Sequence, residues 1–266
     1  MRGEFNLPTI AEPKSFSELL EVIEEFQSTS DASWYRGCRN AGHCLQPSIM
    51  RHAPVKPFKE IHELEKQIAS RFVQRSLPFV SRPFMDEWDK LFFMQHYGVP
   101  TRLLDWTENP FVAIYFAMTP LRVEPDKDAA LWLCDPVKWN SHVMSSYSGK
   151  KGILDQSSRF LTQYSPEALV DDVPNHPIMM YGTYNSPRIV AQRGGFALFG
   201  NLPDPMEQIH QTGGFAPECL QKVTVKKEHI PDIRSSLLKK GFTESVVFPD
   251  LDGLAKEIRR EFGFEQ

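Results

Sequence analysis

From Phe111 to Met118 the chain carries eight apolar or aromatic residues in a row, opened by Asn109-Pro110. Asparagine at an N-cap followed by proline at the first helical position is a helix start, so the run predicts a helix with no polar face. A helix that is apolar on every side has to be enclosed, and the rest of the chain must supply the enclosure. The 266 residues suffice, because a chain of this size hides roughly 70–75% of its unfolded surface. With 41% hydrophobic and 24% charged residues the composition is globular, which excludes collagen-like, coiled-coil and largely disordered chains.

Around that run, helices and strands alternate irregularly. Ser15 with Glu18 forms a capping box, and Leu19, Leu20, Val22, Ile23 and Phe26 recur at helical spacing, predicting a helix over 16–27. Trp34-Tyr35-Arg36-Gly37 reads as a short strand closed by glycine. Ile61, Leu64, Ile68 and Phe72 predict a two-sided helix over 58–77, and a further helix runs from about 85 to Gly98, with Pro100 just beyond. Ala129–Cys134 is a buried strand, 139–180 an irregular insertion with short helices, and Arg188–Phe199 a strand in which Gly194-Gly195 marks a bulge or a close approach. Then follow a strand from Leu220 to Val225, a helix over 233–240, a strand over 245–248 and a helix over 254–262. The absence of a βαβα rhythm predicts an α+β fold, a mixed sheet core with flanking helices. Residues 1–29 read as an N-terminal helical extension and 30–266 as one α+β domain.

The formal net charge of −4 gives no broad field for nucleic acid or an anionic membrane. No charged-then-apolar leader and no run of membrane-spanning length is present in the sequence, so the expectation is a cytoplasmic, reduced protein. The four cysteines Cys38, Cys44, Cys134 and Cys219 are scattered. Cys38, His43, Cys44 and His52 can be drawn as a cluster, but their spacings match no zinc pattern, and no metal is expected. Glycine-rich phosphate loops, Gly-x-Ser-x-Gly and His-Glu-x-x-His are all missing.

The polar residues Thr101, Arg102, Asp105, Thr107 and Asn109 crowd a turn just before the apolar helix, near its N-terminus, where backbone donors and the dipole favour an anion such as phosphate. Each has a structural alternative. Arg36 is either a site residue or half of an ion pair with Asp105 that fixes a turn; Asp105, Thr107 and Asn109 are ligand contacts or caps. His96 is a catalytic group or a partner of the dipole at its helix end.

Trp34-Tyr35-Arg36-Gly37, Leu45-Gln46-Pro47-Ser48-Ile49-Met50-Arg51 and Gln95-His96-Tyr97-Gly98-Val99-Pro100-Thr101-Arg102-Leu103-Leu104-Asp105-Trp106-Thr107 together resemble the FRG domain family. The aromatic-Arg-Gly signature is here Tyr35-Arg36-Gly37. The likeness continues in Asn109-Pro110, in Arg188-Ile189-Val190-Ala191-Gln192 and in Phe248-Pro249-Asp250-Leu251, spanning roughly residues 30–255.

A weaker resemblance runs to the ADP-ribosyltransferase fold. It implies an NAD-dependent ADP-ribosyltransferase or NAD glycohydrolase, a bacterial toxin or phage-defence effector with a macromolecular target. On that resemblance Arg36, Gln192 and Glu244 take the catalytic positions, and Tyr35, Gly37, Arg102, Asp105, Thr107 and Asn109 hold NAD. The match departs from the pattern where a late strand should carry glutamate: Gln192 stands there, with Glu244 the alternative. Glutamine hydrogen-bonds but cannot offset the positive charge that develops on the ribose. The alternatives are a nucleotide or nucleic-acid binding module without turnover and a regulatory interaction domain.

Overall fold

The computed structural model describes residues 7–51, 57–80, 82–119, 126–149, 151–183 and 186–264. Among the described residues the strands form one seven-stranded sheet. Its strands are β1 (Thr9–Ala11), β2 (Trp34–Cys38), β3 (Leu103–Thr107), β4 (Ala129–Cys134), β5 (Ile178–Tyr181), β6 (Gly194–Leu198) and β7 (Leu220–Val225), in the spatial order β1-β7-β4-β2-β3-β6-β5. Every pair is antiparallel except β1 with β7. The α+β expectation holds: a mixed sheet is flanked by helices on both faces.

Three helices cover one face over β7, β4 and β2. They are α1 (Phe16–Thr29), α4 (Pro110–Met118) and α8 (Ile230–Lys239), and with Tyr35, Leu131, Leu133, Val223 and Val225 they form one core cluster. The apolar run is α4, capped as its sequence demands: Asn109 Oδ1 accepts from Phe111 N at 3.0 Å. Gly37 lets α4 lie against β2. A Cβ at that position would fall on the carbonyl oxygen of Ala113 and 2.6 Å from the amide nitrogen of Ala117, both backbone atoms of α4.

On the same face, further along the sheet, α3 (Glu87–His96) packs over β3, β6 and β5 through Phe92, which stacks on Phe196 at 5.2 Å. The opposite face is covered by α2 (Phe58–Ser76), α5 (Pro136–Val143) and α7 (Met206–Thr212) around Trp34, Trp106, Trp132 and Trp139.

Three expectations are corrected. Arg188–Phe199 is not one strand: α6 (Pro187–Gln192) comes first, started by Ser186, whose side chain accepts from Ile189 N, and by Pro187 at the first turn. It is stopped by Arg193 in the left-handed region at φ 44°. Then β6 pairs regularly with β3, Gly194 opposite Thr107 and Gly195 opposite Trp106, so the glycine pair is a close approach and not a bulge. The Trp34 ring occupies the space a Gly195 side chain would need. Second, Glu244–Val247 is a helical turn, α9, where alternation suggested a strand. Third, the polar stretch before α4 is a strand, β3, up to Thr107 and turns only at 108–109. Within 139–180 the observed order is the end of α5, 3-10 turns at Arg159–Tyr164 and Val170–Asp172, and β5. The last helix, α10 (Leu251–Glu261), lies against α9.

Candidate functional site

β2 and β3 share one registered pair, Tyr35 with Thr107, whereas β2 pairs with β4 over five residues and β3 with β6 over five. Beyond that pair the two central strands separate. Arg36 reaches across the gap and its Nη1 donates to the carbonyl oxygen of Asp105 at 2.5 Å. Side chains alternate along a strand, so Asp105 shares the face of Leu103 and Thr107, the face on which α3 and α4 sit.

A cleft of about 310 Å³ opens there. Its floor is Tyr35, Gly37, Asp105 and Thr107; α4 contributes Val112, Ala113 and Phe116, α3 contributes Phe92, Gln95 and His96, and α6 contributes Arg188, Ile189 and Gln192. The loop after β2 closes the remaining side with Arg39, His43, Cys44 and Arg51. A second chamber of about 540 Å³ adjoins it and shares Arg36, Arg51, Gln95, His96, Asp105 and Arg188 with the first.

The charges lining this double cleft are unbalanced. Arg36, Arg39, Arg51 and Arg188 face Asp105 as the single carboxylate. Among the described residues none of the four arginines makes an ion pair. Arg188 instead lies over the Phe248 ring at 4.9 Å, and Arg39 Nε donates to the carbonyl of Thr119 at 2.6 Å. Burial holds His96 below the usual imidazole range, reinforced by the Arg188 charge and opposed by Asp105 and Asp250, so it is neutral at pH 7 and adds no charge there. Burial likewise pushes the Cys38 thiol up, which leaves it a weak nucleophile.

Of the residues singled out from sequence, Tyr35, Arg36, Gly37, Asp105, Thr107 and Gln192 converge on the cleft. Asp105 is exposed and its Oδ2 accepts from Gln95 Nε2 at 2.9 Å, while Gln95 Oε1 accepts from Thr101 Oγ1 at 2.5 Å. No ion pair links Arg36 to the Asp105 carboxylate; the contact is to its backbone. Thr107 Oγ1 donates to the Gln192 carbonyl and accepts from Asn109 N at 3.0 Å, so it braces the turn before α4. Gln192 Nε2 donates to the carbonyl of Val247 at 3.0 Å, tying α6 to α9.

Arg102, Asn109 and Glu244 do not line the cleft. Asn109 caps α4. Arg102 is fully buried: its Nε donates to Glu65 at 2.7 Å, its Nη1 to Phe199 O and its Nη2 to Tyr164 O, both at 3.1 Å. Glu244 is 4% exposed and takes Arg260 Nε on its two oxygens at 3.1 and 3.0 Å, with Arg234 at 3.9 Å. That pair anchors α10, and removing one member strands a charge. Glu244→Ala is expected to lower stability by about 2–3 kcal/mol, short of the 3–5 of a fully enclosed pair because Arg260 keeps some solvent. Urea unfolding measures it.

The sequence alone does not mark Arg39, Arg51 and Arg188 as site residues, although Arg51 and Arg188 stand within the family-like segments. Their signal was charge without a neighbouring acid at helical spacing, which is weak until the fold places them together.

The first of those segments begins at the strand that carries Tyr35-Arg36-Gly37, whose arginine spans the split in the sheet. The family model of the FRG domain matches residues 31–125. An FRG domain is present. Its matched span runs from before β2 through α2, α3 and β3 to α4, and therefore includes both strands of the split and the helices on either side of the cleft. The remaining walls, α6 and the β3-paired β6, come from outside the match. No curated protein and no solved structure matches the chain. Among the described residues no helix is long and apolar enough to cross a membrane, and no group of three or more His, Cys, Asp or Glu is placed to hold a metal; His52 lies outside the described residues.

Proposed function

We propose that the FRG domain binds a nucleotide in the split between β2 and β3, with NAD as the candidate drawn from the resemblance to ADP-ribosyltransferases. One observation carries the reading: four arginines without ion-pair partners among the described residues line a cleft that holds a single carboxylate. Arginine presents a planar fork of donors suited to phosphate oxygens. The same cleft is lined by Phe92, Phe116, Ile189 and Phe196, apolar and aromatic surface against which a base or nicotinamide ring packs. A ligand with both a flat ring and phosphates satisfies both halves of the wall.

A second reading, turnover, is favoured by the position of Asp105. Cleaving an N-glycosidic bond places positive charge on the ribose, and a carboxylate in the cleft stabilises it. Gln192 and Glu244 are engaged elsewhere, which leaves Asp105 for that role. Asp105→Asn separates the two readings. If NAD is cleaved, the variant loses about 10²–10³-fold in rate, the usual cost of removing one electrostatic stabiliser of a transition state. If the cleft only binds, no nicotinamide is released by either protein, and the variant holds the nucleotide more tightly because a like charge has gone. Chromatography of NAD incubations alongside a titration reads both; nicotinamide release that is unchanged in the variant would remove Asp105 from the chemistry.

A further inference from the structure

Asp105 is exposed on β3, where a carboxylate with a broad χ2 preference swings unless something holds it. Two groups hold it. Arg36 Nη1 donates to its backbone carbonyl at 2.5 Å, and Gln95 Nε2 donates to its Oδ2 at 2.9 Å. One carboxylate oxygen is thereby engaged and the other is left for a ligand. Gln95 is held in turn by Thr101, which has no exposed surface. The Thr101 Oγ1 accepts from Leu103 N at 3.1 Å and donates to Gln95 Oε1 at 2.5 Å. A hydroxyl has one proton to give, and here it goes to the amide oxygen. The amide nitrogen is therefore the end turned to Asp105. Flipping the amide would set its oxygen against a carboxylate, acceptor against acceptor, and would forfeit the bond from Thr101.

The local sequence builds this relay. α3 ends in a Schellman turn: Gly98, at φ 73°, donates from its N to Gln95 O at 3.0 Å, and Val99 N donates to Met94 O at 2.9 Å. The chain doubles back, and Thr101 arrives beside Gln95, six residues upstream. Arg102, fixed on Glu65, pins the next residue. Thr101 lines neither chamber of the cleft, whereas Gln95 lines both. An effect of Thr101 on a ligand therefore passes through Gln95.

We infer that Thr101, acting through Gln95, is a positioning residue that sets the Asp105 carboxylate against the ribose of a bound nucleotide. The inference rests on the reading in which Asp105 offsets the charge that develops at the glycosidic bond. Electrostatic stabilisation of that kind depends on a group already in place, because a charge that must first be turned costs reorganisation in the step itself.

The test is steady-state nicotinamide release from NAD by the full chain carrying Thr101→Val, Thr101→Ser or Gln95→Met, each alone and together with Asp105→Asn. Thr101→Val keeps the side-chain shape and removes the hydroxyl. Gln95→Met breaks the relay at a half-buried residue and leaves the Thr101 bond to Leu103 N in place, so it serves where Thr101→Val does not fold. Both are expected to lower kcat about 10-fold with KM unchanged, the cost of a displaced group rather than a missing one. Thr101→Ser keeps the hydroxyl and the wild-type kcat. With Asp105→Asn already present, neither Thr101→Val nor Gln95→Met lowers kcat further, because residues that act through one group are not additive. Equal losses with and without Asp105→Asn, or a Thr101→Ser as slow as Thr101→Val, would overturn the inference. A wild type that releases no nicotinamide removes the turnover reading instead. The relay is then read in the ligand-free protein from the Gln95 side-chain amide signals in heteronuclear NMR, identified by their disappearance in Gln95→Met. They are expected to move in Thr101→Val and to stay in place in Thr101→Ser; signals unmoved in Thr101→Val show that Thr101 does not position Gln95.

Discussion

Glu65→Ala is expected to destabilise the protein by about 3–5 kcal/mol, enough to unfold a large share of a domain whose total stability is ordinarily 5–15 kcal/mol. The reason lies in what would be left behind. Arg102 has no solvent contact, and Glu65 answers two of its donors, the side-chain Nε at 2.7 Å and the backbone N at 3.0 Å. The guanidinium also donates to the carbonyls of Phe199 and Tyr164 and lies 5.6 Å from the centre of the Phe58 ring. The pair thus joins α2, the start of β3, the end of β6 and the turn at Arg159–Tyr164. Without the carboxylate the positive charge stays buried and uncompensated. Glu65→Ala with Arg102→Met removes both charges and should recover a large part of the loss, because replacing a whole buried pair costs far less than breaking it. Urea midpoints for the two proteins decide it. A single-variant loss below about 1 kcal/mol, the range of exposed pairs, would mean that Arg102 finds water or another acceptor.

The second large effect is expected at Gly37. Gly37→Ala should cost about 3 kcal/mol, the upper part of the range for overpacking a tight contact. The new Cβ meets backbone, not a yielding side chain: the carbonyl oxygen of Ala113 and the amide of Ala117. Relief requires α4 to move as a body, and six of its nine residues are buried. It also carries Val112, Ala113 and Phe116 into the wall of the cleft. On the proposed reading the variant is therefore expected to lose its nucleotide response even where it remains folded, which a purely local destabilisation would not do. Thermal melts with and without NAD at a temperature below the shifted midpoint read the two effects separately. A melting temperature within a degree or two of wild type would show that α4 accommodates a methyl group.

These two positions also show how far the sequence speaks. The apolar run after Asn109-Pro110 states its own start, its helicity and its burial, and the strand at Trp34–Cys38 and the helices α1, α2, α3 and α8 follow from caps and periodicity of the same kind. Local chemistry is written locally. Gln192 reads as a strand residue because Val190 and Ala191 run into a genuine strand, whereas the structure starts a helix at Ser186-Pro187 and ends it at Gln192. Glu244 and Arg102 look like site candidates in the sequence because a polar residue near a motif looks the same whether its partner is a ligand or another element. Arg102 finds its acid thirty-seven residues away on α2, and Glu244 finds Arg260 on α10. Such pairings are made by the tertiary fold. For the same reason the convergence of Arg36, Arg51 and Arg188 on one cleft had no counterpart in spacing, although the Tyr35-Arg36-Gly37 strand and Asp105 had already marked its floor.

On the nucleotide-binding reading, these arginines grip the phosphates of the ligand. Calorimetric titration of NAD into wild-type protein and into Arg188→Ala decides it. Arg188 pairs with no carboxylate among the described residues and only overlies Phe248, so its loss leaves the fold intact. The expected result is saturable binding to the wild type that weakens as salt is raised, and roughly 10–100-fold weaker binding to the variant, the worth of a charge-assisted hydrogen bond. Its melting temperature without ligand should stay unchanged. Binding that is absent in the wild type, or equally tight in Arg188→Ala and indifferent to salt, would contradict the account.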